Sequence, residues 1–125
     1  MVEWSNQYVL GVCSMDETHK EFVRILNNAI AAVNNSDFYE HCQEILHHTY
    51  NHFEGERLMM VDCGVSSRQD HIVEHNRVLA EMEHMFARPK EAKKYVMEGI
   101  PAWFHTHATT LDSELARAIL EKQKT

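Results

Sequence analysis

Residues 48–56 read HTYNHFEGE, and His48, His52 and Glu56 recur at intervals of four. On a helix such residues lie nearly above one another, in a stripe that Ile45 and Met59 extend with apolar side chains. A stripe that is apolar at both ends, with imidazole and carboxylate between, describes a buried polar site. Further polar residues fall on apolar stripes elsewhere: His19, the pair His71 and His75, and His107 with Asp112 close by. A buried polar group left unsatisfied costs about 1–3 kcal/mol, so a convergent set of this size needs a compensating partner. A cation supplies one, because metals take neutral imidazole and ionised carboxylate. Five imidazoles and two carboxylates exceed what one tetrahedral zinc accepts; they suit two six-coordinate ions that share the carboxylates. No thiolate accompanies them, which favours iron over a softer metal.

Four helices must carry these residues. Only four glycines and two prolines punctuate the 125 residues, so the chain is expected to be mostly helix. His19, Phe22, Val23, Leu26, Ile30 and Val33 follow the helical period, behind a capping box predicted at Ser14-Met15-Asp16-Glu17. Asn34-Asn35 ends that helix, and Ser36 and Asp37 cap a second one, predicted to run through the opening stripe to about Asp62. Gly64 suits the residue just past its end. The third helix carries His71, His75, Val78, Leu79, Met82 and Phe86 on one face. The fourth starts near Pro89, a residue suited to a first helical turn, and reaches about Lys122. Gly99-Ile100-Pro101 lies inside it, where proline predicts a kink or break. Beyond that point Trp103, His107, Leu111, Leu115 and Ile119 share the buried face.

Amphipathic helices of similar length with short connections predict an all-α, up-down-up-down four-helix bundle. Residues 14–122 form the bundle and residues 1–13 an extended N-terminal arm, with Trp4, Tyr8, Val9 and Leu10 packed on it. Together they make a single domain over residues 1–125, a length that can bury a real core.

Composition narrows the function. The apolar share of 44% and charged share of 25% are ordinary for a globular protein, whereas ten histidines are a marked excess. A net charge of −7 argues against nucleic acid or an anionic membrane as partner. No stretch approaches the length of a membrane span, and MVEWSNQYVLG does not read as a signal peptide. Cys13, Cys42 and Cys63 are odd in number and widely spaced, which predicts reduced thiols in the cytoplasm.

The residues so far resemble a known family, the hemerythrins, and within it the bacterial members. The likeness runs from WSNQYVLG at residues 4–11 and MDETH at 15–19 through HTYNHFEGE at 48–56 and HIVEH at 71–75. It continues in WFHTH at 103–107 and LDSELA at 111–116. All seven positions of the family's metal motif are filled. The resemblance implies that His71, His75 and His107 bind one iron and His19 and His52 the other. Glu56 and Asp112 would bridge the two ions, together with an oxo or hydroxo group. The second iron is then one ligand short, and the resemblance implies reversible binding of dioxygen at that vacancy. Many members carry a second glutamate after the bridging one; here Arg57 stands there and is expected to face solvent.

Ferritins and diiron oxidases build their sites mostly from glutamates. A site with five neutral histidines favours reversible binding over oxidation, so a non-enzymatic role in oxygen storage, delivery or sensing is expected, with no catalytic residues. The alternative is a diiron peroxidase, oxidase or nitric oxide scavenger on the same scaffold. The chain stops near Thr125 with no effector domain, so storage or delivery is expected over sensing. The chain is expected to be a monomer, and its macromolecular partner to be an oxygen-consuming enzyme or an effector. Phe22, Phe53, Trp103, Phe104 and Leu111 are expected to line the ligand pocket and exclude water. His48 has no place in the seven-residue motif and is expected behind the ligands or at the surface. His41, His47, His84 and His105 fall off the stripes and are expected in solvent. His107 and Asp112 stand five apart, about 140° around an ideal helix at ~100° per residue. The carboxylate must therefore reach in from the flank, or the helix must widen.

Overall fold

A computed structural model describes residues 1–124 and bears out an all-α bundle. Thr125, the last residue of the predicted domain, lies outside the described residues. Helix α1 spans Cys13–Ala31, α2 Asn35–Cys63 and α3 Arg68–Phe86. The fourth position is composite: α4 (Pro89–Lys94), a π-helical turn (Tyr95–Gly99), α5 (Ile100–Thr109) and α6 (Leu111–Gln123). Helix α2 is central, packing against α1, α3 and α6.

The helix ends follow local chemistry, with two departures from expectation. Asn34, not Ser36, caps α2 and accepts the Asp37 N–H at 2.8 Å. Gly64 ends α2 in the left-handed region at φ 66°, as predicted. Ser14 makes no capping bond to α1; Asp16 instead accepts the N–H groups of Leu10 and Gly11 at 2.8 and 3.2 Å, tying the arm to the first turn. The arm is not wholly extended, because residues Asn6–Tyr8 form a 3₁₀ turn. Tyr8 is buried and Trp4 packs on the core, but Val9 is exposed. Val33 lies past the end of α1 and is also exposed, since the helix stops before its stripe reaches that residue.

The proline in the last helix is absorbed without a break. Around Gly99 the helix widens, and Ile100 N–H reaches back five residues to the Tyr95 carbonyl. Pro101, which has no N–H to donate, then falls in the first turn of α5. Gly99 is required here: a Cβ would meet the Tyr95 ring at 2.8 Å. The true interruption comes later, at Thr110 (φ −119°, ψ −85°) between α5 and α6.

One apolar cluster, with Phe22, Leu26, Ile45, Val78, Met82, Val96, Ile100 and Phe104, fills much of the bundle. A second joins Met15, Met60 and Leu115. Among the described residues no helix is long and apolar enough to cross a membrane. Cys13, Cys42 and Cys63 form no disulfide.

Candidate metal centre

The seven predicted residues converge, and all are buried. Each comes from a helix face whose remaining buried positions are largely apolar, so burying that face carries them inward. Helix α1 supplies His19, α2 His52 and Glu56, α3 His71 and His75, α5 His107 and α6 Asp112.

The two carboxylates divide their oxygens between two sets of imidazoles. Glu56 Oε2 lies 2.7 Å from His52 Nε2 and 3.5 Å from His19 Nε2. Its Oε1 lies 3.2 Å from His75 Nε2 and 3.4 Å from His71 Nε2. Asp112 Oδ2 faces His19 Nε2 at 3.1 Å, while Oδ1 faces His71 and His107 at 3.0 and 3.1 Å. Two groups result that can each hold a metal ion: Glu56, His71, His75, His107 and Asp112, and His19, His52, Glu56 and Asp112.

Hydrogen bonding does not satisfy this set. His107 Nε2 lies 3.1 Å from His75 Nε2 and 3.2 Å from His71 Nε2, so three ring nitrogens point at one place. His19 Nε2, Glu56 Oε1 and Asp112 Oδ1 are buried with no partner of acceptable geometry. Lone pairs aimed at a shared point rather than at one another are what a bound cation requires, and unpartnered they are costly. The donor set therefore fits metal ions.

Where only protons balance the carboxylates, the electrostatics show the same demand. Burial opposes protonation of His19, but the adjacent Asp112 and Glu56 carboxylates outweigh it and raise the imidazole to about 9. His71 is raised to about 9 against the same burial, by the same two carboxylates. Burial also opposes ionisation of Glu56, yet the charge and hydrogen bond of His52, with the His19 and His71 imidazoles close by, hold it well below the usual range. In Asp112 burial and the Glu56 charge push upward, and His107 and His19 reverse them, so the net direction is down. His75 is lowered, chiefly by burial.

Aromatic rings surround the imidazoles. Phe53 lies flat on His75, with centroids 3.6 Å apart. Trp103 stacks on His107 at 4.8 Å, and Phe104 meets His19 edge-on at 5.7 Å while stacking on Phe22 at 5.2 Å. Leu111 is half-buried at the start of α6. Of the five residues predicted to line a pocket, these four rings form a packed collar. The opening that reaches His52 and Glu56 runs instead between α1 and α2, a cleft of about 420 Å³ bordered by Met15, Thr18, His48, Asn51, Gly55 and Met59 among others.

His48 is half-buried on that cleft, its ring 5.9 Å from His52, and burial with the His52 charge lowers it to about 4. His47 and His84 are exposed as predicted. His41 is half-buried beside Glu44, and His105, though exposed, hydrogen-bonds with the Tyr8 hydroxyl at 3.1 Å. Arg57 faces solvent, paired with Glu54. Sequence reasoning missed Glu74, whose Oε1 accepts the Trp103 indole N–H at 3.1 Å and so steadies the ring against His107. Its place between His71 and His75 was the available signal.

The chain is 28% identical to the bacteriohemerythrin of Ralstonia nicotianae over 117 residues, covering 90% of this chain and 84% of that one. The crystal structure of wild-type hemerythrin superposes with a TM-score of 0.84 at 16% identity, covering 95% of this chain and 98% of that one. A point mutant of hemerythrin superposes equally well, with a TM-score of 0.84 and 97% of its chain covered. At that identity the structures show a shared fold. No protein-family profile matches the chain.

Proposed function

We propose that this chain is a member of the hemerythrin family and binds dioxygen reversibly at a pair of iron ions. The observation that carries the reading is the division of the Glu56 and Asp112 oxygens between a three-imidazole set and a two-imidazole set. In this reading His71, His75 and His107 hold one iron, and His19 and His52 hold the other. Glu56 and Asp112 would serve both ions, and the two-imidazole set offers one ligand fewer than the other. When bound, the irons supply the electrons and the open position that reversible dioxygen binding uses.

The residues of the chain set the conditions. Glu56 and Asp112 offset cationic charge that neutral imidazoles cannot, in a site where water does not screen. Phe53 and Trp103 fix the rings of His75 and His107 by stacking, which holds the three-imidazole set rigid. The aromatic collar keeps solvent from the side of the centre that it covers, which favours release of dioxygen over loss of electrons to it. The five histidines and two carboxylates of the cluster are all taken up as ligands in this reading, which leaves none of them to act as an acid or base on a bound molecule. Binding, not turnover, is the role we assign. Three unpaired thiols fit a reducing compartment, and we assign the chain to the cytoplasm.

Metal analysis of protein produced with iron tests the reading. Two irons per chain are expected; one zinc per chain at full occupancy would overturn it.

A further inference from the structure

Gly55 stands inside α2, where only proline is a less favourable residue. No packing demand explains it, since a Cβ at this position would meet no atom within 4 Å. It borders the α1–α2 cleft, as do Glu44, His47, His48 and Asn51 of the same helix. Glu44, His48, His52 and Glu56 recur every four residues, so successive turns each present an oxygen or nitrogen ligand. The series steps from exposed Glu44 past half-buried His48 to buried His52 and Glu56. At the outer end His47 is exposed, with its Nε2 3.3 Å from the Asn51 side-chain nitrogen. His48 Nδ1 is buried and has no hydrogen-bond partner, so the role of a satisfied core histidine does not account for it.

We propose that the α1–α2 cleft is the route by which ferrous iron reaches the buried cluster, with Glu44, His47 and His48 as successive transient ligands and Gly55 keeping the passage open. The proposal rests on the metal-centre reading above and adds how that centre is filled. Imidazole and carboxylate are the ligand types from which a divalent first-row ion can exchange stepwise. A net charge of −7 raises the concentration of such ions around the chain as a whole. A passage for a neutral gas alone would have no use for a ligand on every turn.

The test mixes metal-free protein with anaerobic ferrous sulfate and follows iron uptake by stopped flow against a chromophoric chelator. Combined His47→Ala and His48→Ala substitution removes ligands and leaves the passage open; Gly55→Leu fills the passage and leaves the ligands. Both are expected to slow uptake about tenfold or more while the final iron content equals that of the wild type. Glu114→Gln, an exposed charge on α6, is expected to load at the wild-type rate. Circular dichroism checks that each variant keeps its helices, and at Gly55 a Cβ meets no atom within 4 Å. A wild-type uptake rate in either cleft variant overturns the proposal, as does equal slowing in Glu114→Gln. Slowed azide binding to loaded Gly55→Leu with unchanged iron uptake would show a passage for small ligands and overturn it too. A wild-type chain that takes up no iron at all would bring down the metal-centre reading, and this inference with it.

Discussion

His107 Nε2 and Asp112 Oδ1 lie 3.1 Å apart although the residues stand five apart in sequence, because the helix breaks at Thr110 between the two. An uninterrupted helix would point the carboxylate away. Asp112 enters instead from the first turn of α6, where it also reaches His71 and His19. On the proposed reading Asp112→Asn is therefore expected to lose most of its iron, since it removes one of the two carboxylates that lie between the two imidazole sets. Glu114→Gln, two residues on and exposed, should retain full iron. Iron content after gel filtration distinguishes them.

Glu56 carries the other shared charge, and its loss should be felt even without metal. Removing one partner of a buried charge network costs about 3–5 kcal/mol, because His19 and His71 are held protonated largely by Asp112 and Glu56. Metal-free Glu56→Gln is expected to melt roughly 10 °C or more below the wild type. Glu54→Gln, on the solvent face with Arg57, should leave the thermal midpoint unchanged. Equal midpoints for the two variants would remove Glu56 from the network.

Phe53 and His75 test the collar. Their rings are parallel at 3.6 Å, a contact worth about 0.5–1.5 kcal/mol beyond burial. Phe53→Leu keeps much of the volume and loses the stack. Its iron content should match the wild type, while iron loss to a competing chelator should run several-fold faster, roughly as that energy dictates. Unchanged loss would mean that the stack does not restrain the ligand.

Protons and metal compete for the same nitrogens, which gives a pH signature. His19 and His71, raised to about 9 from the ordinary 6.5, bind protons more tightly in the folded metal-free chain than in the unfolded one. Their contribution is full below about pH 6.5 and is lost as pH rises through about 9. The lowered His48 and His75 act in the opposite sense, and for His48 stability falls as pH drops from 6.5 towards 4. The metal-free midpoint should therefore peak near pH 6–7 and decline above it. Iron loading at pH 7.5 should release about two protons per chain from His19 and His71, a number that calorimetry in buffers of different ionisation enthalpy reports. Release near zero would contradict the proton-balanced picture.

The five histidines and Glu56 were legible because each sits where a helical period already demanded an apolar residue, whereas Asp112 fell off that period. His71 and His75 announce a face four residues apart, and His52 and Glu56 repeat the signal. The break at Thr110 was not legible, because it answers to where Asp112 must reach and not to any helix-stopping residue. The π-turn at Tyr95–Gly99 was marked by Pro101, but whether the helix would kink or widen depended on the Tyr95 ring lying against Gly99. Ser14 looked like a cap by pattern, yet Asp16 makes the bonds, because the arm brings Leu10 and Gly11 to it. The open space at Gly55 is visible only once α1 lies alongside.

The most direct test of the central claim is optical. Protein loaded with ferrous iron under argon is exposed to dioxygen, then purged, and its visible absorption is followed through repeated cycles. A charge-transfer band should appear with one dioxygen taken up per two irons, vanish on purging and return unchanged. A band that never forms, or that forms once and leaves permanently oxidised iron, would contradict reversible binding at the His19, His52, Glu56, His71, His75, His107 and Asp112 cluster.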